Sequence, residues 1–168
     1  MSKFAKIRGV YMKKMIIIFL IVVVAVGTGM LIKNIGFEHF GFSKNEYTII
    51  DEYNTHGGFH GDGYYYLILD CSANKDKALK TIEEWNKLPL SENLESVMYG
   101  GLTYDGLSLA ETAKIPKVEN GRYMFKDRFP KSKNRKDDTN LTGRGAYNFS
   151  IAIYDCDTDK MYYFEFDT

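Results

Sequence analysis

The chain has little cysteine and little proline, and its first 33 residues contain no acidic residue. Two cysteines among 168 residues exclude a disulfide-rich scaffold. Three prolines are too few for a proline-rich, low-complexity chain. The sequence also lacks a glycine-rich phosphate loop before a helix, a serine nucleophile elbow and a zinc-binding helix motif. These absences exclude several common enzyme classes.

What the sequence has is a long uncharged segment with a one-sided distribution of charge around it. The 18 residues Met15–Ile32 carry no charge and, as a helix, would span about 27 Å, close to the hydrocarbon thickness of a bilayer. Five basic residues precede this segment and no acidic residue does, which predicts a cytoplasmic amino terminus. We therefore expect a single-pass protein of the cell membrane whose C-terminal part is extracytoplasmic.

A cleaved signal peptide is the alternative for the same segment. Met15–Val26 would serve as its apolar core, and Ala25–Gly27 contains small residues suited to cleavage. The apolar run continues to Ile32, however, beyond any such cleavage site. This continuation favours an uncleaved signal anchor.

Charge and length then define the predicted domain organisation. Residues 34–168 contain 16 basic and 22 acidic residues, a net charge of −6 that argues against nucleic-acid binding. About 130 residues suit one domain with a single core. The predicted parts are a basic cytoplasmic tail at 1–14, a transmembrane signal anchor at 15–32, a juxtamembrane linker at 33–45 and a single extracytoplasmic domain at 46–168.

The linker contains three phenylalanines among glycines, and two interpretations stay open for them. They would lie in the membrane interface, as aromatic residues beside a membrane segment often do. Alternatively, they would pack against the edge of the domain. The three residues are Phe37, Phe40 and Phe42.

Apolar periodicity predicts an α+β fold for the exported part. Glu46–Tyr53 and Tyr64–Asp70 are rich in β-favouring residues, and apolar positions recur every three or four residues in Asn74–Lys87, as in an amphipathic helix. The clearest hairpin alternates with period two on both arms, from Tyr147 to Phe166, which predicts one buried face. The expected fold is an antiparallel or mixed β-sheet with one principal covering helix, preceded by a single N-terminal transmembrane helix.

Three shorter segments give local signals. Ser108 and Glu111 match a capping box and predict the start of a short helix. Leu94–Tyr99 is ambiguous between a short strand and a helical turn. The polar stretch Pro130–Arg144 is predicted to be a loop.

The sharpest local pattern is Thr55–Gly63, which places two histidines and an aspartate among four glycines. Imidazole and carboxylate groups bind zinc and similar divalent ions, so His56, His60 and Asp62 are candidate metal ligands. Four glycines argue against a helix here. The favoured interpretation is a strand-connecting loop whose histidines form local hydrogen bonds, with a metal site and a ligand-binding lip as the alternatives.

Cys71 and Cys156 each follow a predicted strand and an aspartate. Outside the membrane a disulfide between them is chemically permitted, provided that their Cα atoms lie within about 7 Å. Two free thiols are the favoured interpretation, because a domain of this size builds its core without a covalent link. We assign no catalytic residue from the sequence.

Several segments together resemble a group of small, uncharacterised, membrane-anchored extracytoplasmic proteins of Gram-positive bacteria. The resemblance covers most of the exported part and implies a bacterial source and one extracytoplasmic domain, but no activity. The segments that carry it are Thr55–Gly63, Trp85–Gly100 with Leu88-Pro89-Leu90, Ile115-Pro116, Glu119-Asn120-Gly121, Lys126-Asp127-Arg128, and the ending from Tyr154-Asp155 to Tyr162-Tyr163-Phe164-Glu165.

The sequence thus predicts a membrane-tethered interaction or ligand-binding module without catalytic activity, whose partner is an envelope protein or glycan. Its 13 tyrosines suit partner surfaces, since each offers ring area and a hydroxyl group. One alternative is a metal-dependent envelope enzyme or metal-binding protein that uses the histidine loop, with Asp51 or Glu52 as further ligands. The other is a small inhibitor or immunity-type protein held at the membrane.

Overall fold

A computed structural model describes residues 37–57 and 61–168 of the chain. The chain divides into two compact units, Met1–His39 and Phe40–Thr168. The predicted cytoplasmic tail and signal anchor lie outside the described residues, and so does His60. Among the residues that are described, no helix has both the length and the apolar character needed to cross a bilayer.

The second unit is built on a six-stranded sheet in which every neighbouring pair is antiparallel. The strand order is β1-β2-β8-β7-β6-β3, and β4 and β5 form a separate two-stranded hairpin. The predicted α+β class with an antiparallel sheet is confirmed. The strands are β1 (Thr48–Asn54), β2 (Gly63–Asp70), β3 (Asn86–Lys87), β4 (Thr103–Tyr104), β5 (Leu107–Ser108), β6 (Gly121–Asp127), β7 (Phe149–Asp155) and β8 (Lys160–Asp167).

The described helices are short: α1 (Lys75–Thr81), α2 (Glu92–Ser96) and α3 (Leu109–Thr112). The helix predicted at 74–87 therefore ends earlier than its apolar pattern suggested. Beyond this end, the Arg122 guanidinium donates hydrogen bonds to the carbonyl oxygens of Glu83 and Trp85 at 2.8 and 3.0 Å. The chain then enters β3, which pairs with β6.

The structure tests two local predictions, the capping box at Ser108 and the ambiguous segment Leu94–Tyr99. Ser108 and Glu111 form the predicted capping box, with Ser108 Oγ accepting from the Glu111 backbone and the Glu111 carboxylate accepting from the Ser108 backbone. The ambiguous Leu94–Tyr99 segment is helical, since α2 continues into a π-helical turn at Val97–Gly101. The local hydrogen-bonding signal thus located the start of α3 correctly.

Both faces of the central strands are buried, so the prediction of one buried face was wrong. Every residue of β7 is buried, including Ser150, Ala152 and Tyr154 on the face predicted to be exposed. The reason is that the chain covers the sheet on both sides. The first face packs with residues of α2, the π-helical turn and α3, and its cluster includes Tyr66, Ile68, Leu94, Val97, Met98, Leu109, Phe125, Phe149, Ile151, Phe164 and Phe166.

The second face is covered in part by residues that precede β1. Phe40 is 2% exposed, and its ring contacts those of Trp85 and Tyr163 edge to face, at 6.2 and 5.4 Å between centroids. Phe42 is 1% exposed and contacts Tyr47 and Trp85. For Phe40 and Phe42, packing against the domain is therefore the correct interpretation.

Candidate functional site

The glycine-rich loop between β1 and β2 is closed at its base by Thr55 and Tyr64. The Thr55 backbone N–H donates to the Tyr64 carbonyl oxygen at 2.8 Å, and the Tyr64 N–H donates to Thr55 Oγ1 at 2.8 Å. Gly63 lies beside these two hydrogen bonds and has a φ of +146°, and a Cβ atom there would lie 2.9 Å from Thr55 Oγ1. A glycine is thus required where the loop returns to the sheet.

His56 is held at the base of this loop by two neighbours. Its Nε2 atom lies 2.9 Å from Oδ2 of Asp167, and its Nδ1 atom lies 3.0 Å from Oδ1 of Asn54. The backbone N–H of His56 donates to the same Asn54 oxygen at 2.8 Å, which identifies that atom as the acceptor. Both ring nitrogens of His56 therefore lie against protein oxygen atoms.

Arg128 contacts the carboxylates of Glu165 and Asp167 near His56. Its guanidinium contacts Asp167 at 2.9 Å and Glu165 at 3.2 Å, and it also donates to the carbonyl oxygens of Phe149 and Phe166. Glu165 and Asp167 are two residues apart on β8 and therefore lie on the same face of the sheet. We call the set His56, Arg128, Glu165 and Asp167 the Arg128 cluster.

The electrostatics of the cluster favour the charged form of Asp167. Burial opposes ionisation of Asp167, but hydrogen bonds from His56 and Arg128 outweigh it and lower the pKa of the carboxyl group. The Tyr163 hydroxyl donates to Glu165 at 2.6 Å, and burial together with the Glu165 charge raises the pKa of that phenol. The cluster therefore brings two carboxylates together in a partly buried environment with one guanidinium.

Three members of the cluster could hold a metal ion. His56, Glu165 and Asp167 each offer one ligand atom, and these atoms all lie within 4.8 Å of one another. Of the predicted ligands that the structure describes, His56 belongs to this group and Asp62 does not. Asp62 is exposed, and because His60 lies outside the described residues, a metal site of His56, His60 and Asp62 stays a prediction.

The sequence interpretation missed Glu165 and Asp167. Their period-two spacing at the end of the predicted hairpin was visible, but β8 lies beside β2 only in the folded sheet, where Asp167 pairs with Gly63. The further ligands considered, Asp51 and Glu52, form ion pairs with Lys114 and Lys44 instead.

Both cysteines are free thiols in the structure. Cys71 is buried, and its burial, helped by the charges of Asp70 and Asp159, raises the pKa of the thiol to about 12. Burial also raises the pKa of the partly buried Cys156. Neither environment produces the thiolate that a nucleophilic cysteine needs.

On the first face, tyrosines from three strands meet near the same loop. The Tyr64 ring lies 5.9 Å from that of Tyr53 on β1 and 5.1 Å from that of Tyr104 on β4. Leu107 on β5 pairs with Tyr104 across the small hairpin. Tyr53 is 52% exposed and Leu107 is 50% exposed, so these four residues, which we call the tyrosine patch, present an apolar and aromatic surface to solvent.

Comparison of the chain with protein-family models, curated proteins and solved structures gave no match. The resemblance inferred from the sequence stays a prediction.

Proposed function

We propose that the chain is a membrane-tethered, extracytoplasmic interaction module without catalytic activity, and that the tyrosine patch binds its partner. The patch is the observation that carries the proposal. Aromatic rings from β1, β2 and β4 are assembled by the fold, yet Tyr53 and Leu107 keep about half of their surface exposed. Tyrosine-rich surfaces of this kind favour partner binding, because their rings bury a large area at little entropic cost.

The proposed partner is a protein of the cell envelope. Leu107 adds an aliphatic contact beside the tyrosines, which suits apolar side chains better than the hydroxyl-covered rim of a sugar ring. The predicted anchor at 15–32 would restrict both molecules to the membrane surface and raise their effective concentration. An envelope glycan is the competing partner.

Two observations support the non-catalytic part of the proposal. Both ring nitrogens of His56 contact protein acceptors, and burial raises the thiol pKa of both cysteines. His56 and the two cysteines thus lack the exposed, activated character of a catalytic base or nucleophile.

A photo-crosslinking experiment tests the patch. A photoreactive amino acid is placed at Tyr53 or at Leu107 of the full chain in intact cells, and at Leu79 as the control. Leu79 is a 38% exposed leucine of α1, outside the patch. We expect the same protein adduct from both patch positions and none from position 79. An adduct of equal yield at all three positions, no adduct, or an adduct removed by glycosidase would overturn the proposal.

The same adduct distinguishes the inhibitor alternative. If the captured protein is a toxin or an envelope hydrolase, its activity is measured with and without the chain. Inhibition that the Tyr53→Ser variant loses and the Leu79→Ser variant keeps would define an inhibitor or immunity-type protein.

Protease protection tests the proposed location. In cells stripped of their wall, an added protease is expected to remove residues 40–168 while sparing a tag at the amino terminus. Removal of the amino-terminal tag, with protection of the C-terminal part, would overturn the proposed orientation.

A further inference from the structure

His56 Nε2 and Asp167 Oδ2 lie 2.9 Å apart at the base of the β1–β2 loop. Asn54 Oδ1 accepts the backbone N–H of His56 and lies 3.0 Å from His56 Nδ1. Nδ1 thus has its own neighbour, and Nε2 is the ring nitrogen that faces the carboxylate. This is the arrangement in which a histidine and a carboxylate bind one ion.

The distance suits a shared metal ion. Two ligand atoms that each lie about 2.1 Å from an ion are separated by roughly 3.0 to 3.4 Å at the angles of octahedral or tetrahedral coordination. The 2.9 Å between Nε2 and Oδ2, which is also a hydrogen-bond distance, lies just below this range. Glu165 supplies a third ligand from the same face of β8, with all three ligand atoms within 4.8 Å of one another.

The neighbours of these three residues orient them as a metal site requires. Asn54 lies against His56 Nδ1, which leaves Nε2 as the ligand atom, and Tyr163 donates to the second oxygen of Glu165 at 2.6 Å. Arg128 is held by the carbonyl oxygens of Phe149 and Phe166 and contacts both carboxylates. Because each carboxylate oxygen has two lone pairs, Arg128 need not leave when an ion binds.

The site is partly shielded from water, and its ligand types favour a transition metal. The side chains of His56, Glu165 and Asp167 are only 17 to 21% exposed. One imidazole and two carboxylates suit divalent first-row transition ions better than calcium or magnesium, which prefer all-oxygen sites.

We infer that His56 Nε2, Glu165 and Asp167 bind one divalent transition-metal ion, for which zinc is the probe. The ion ties the base of the β1–β2 loop to the end of β8. This inference goes beyond the proposed function and does not depend on it, since the metal site and the tyrosine patch use different residues.

Zinc binding to the full chain, purified without an affinity tag, tests the inference. The detergent-solubilised protein is stripped of metal, titrated with zinc sulfate and assayed for bound zinc by mass spectrometry. We expect one zinc per chain, and at least a tenfold loss of affinity in the His56→Ala and Asp167→Asn variants. The matched control is His39→Ala, since His39 is an exposed histidine that is not a proposed ligand.

Substitution of His60 distinguishes the two ligand sets. Loss of zinc in His60→Ala together with retention in Asp167→Asn would overturn the inference and favour the set predicted from the sequence. Absence of stoichiometric zinc would also overturn it. If His56→Ala fails to fold, as judged by Trp85 fluorescence, the conservative Glu165→Gln variant is measured instead, and unchanged zinc affinity there is a negative result.

Discussion

Asp127 and Arg144 form a bidentate ion pair that fastens the long polar loop to the end of β6. Arg144 Nη1 lies 2.9 Å from Asp127 Oδ2, and Arg144 Nη2 lies 3.0 Å from Asp127 Oδ1. The guanidinium also lies over the rings of Phe129 and Tyr147, at 4.9 and 5.7 Å from their centroids. Since the Asp127 side chain is only 5% exposed, the pair is nearly removed from water.

Replacing Asp127 by Asn should reduce the free energy of unfolding by about 3 kcal/mol, because it leaves the Arg144 charge buried without its partner. Urea unfolding of the full chain, followed by the fluorescence of the single tryptophan, Trp85, measures this change. The control is Glu119→Gln, at an exposed position, which should cost less than about 0.5 kcal/mol. Equal stability of the two variants would show that the pair does not fasten the loop.

The same pair should make stability depend on acid pH. Burial opposes ionisation of Asp127, but hydrogen bonds from Arg144 and from the Phe129 backbone outweigh it and lower the pKa of the carboxyl group. A lowered pKa stabilises the fold above the unfolded-state value of about 3.9, and this contribution is lost as pH falls through the folded-state value. Unfolding free energies at pH 6 and pH 3 should therefore differ less in Asp127→Asn than in the wild type. An equal decrease in both proteins would contradict this assignment.

Local signals in the sequence were sufficient for much of the fold. The β7–β8 hairpin followed from period-two alternation, and the start of α3 followed from the Ser108 capping box, because both depend on neighbouring residues. The alternation of residues in β7 could not predict that the second face of the sheet is also covered. That face is buried because Phe40 and Trp85 pack on it from distant parts of the chain.

In the candidate site, too, the features that depend on neighbouring residues were predictable, and those that depend on the tertiary fold were not. His56 was identified from its glycine-rich surroundings, which are local. Its partner Asp167 lies 111 residues away and reaches it only because β8 pairs with β2. Arg128 and Arg144 were missed for a similar reason, since charged residues near a polar loop give no sequence signal that they turn inward.

Phe40→Ala should destabilise the fold by about 3 to 4 kcal/mol, because it removes a buried ring that contacts Trp85 and Tyr163. The measurement is urea unfolding of the full chain followed by circular dichroism, which avoids any direct effect on Trp85 emission. Ile50→Ala is the control, at a position on β1 that is 48% exposed, and should cost less than about 1 kcal/mol. A similarly small cost for Phe40→Ala would instead support a place for this ring in the membrane interface.

The two cysteines should differ in their reactivity toward alkylating reagents. Cys71 is fully buried, and the buried environment raises the pKa of its thiol to about 12, so almost no thiolate is present at pH 8. Burial also raises the pKa of Cys156, but this residue is only partly buried and is reached more easily by a reagent. Iodoacetamide at pH 8 should thus modify Cys156 at least ten times faster than Cys71, as measured by peptide mapping. Unfolding in urea should remove the difference, which shows that it comes from the fold. If the cysteines instead form the disulfide that the sequence permits, the mass of the intact protein would be 2 Da lower without reductant than with it. Both residues would then resist alkylation.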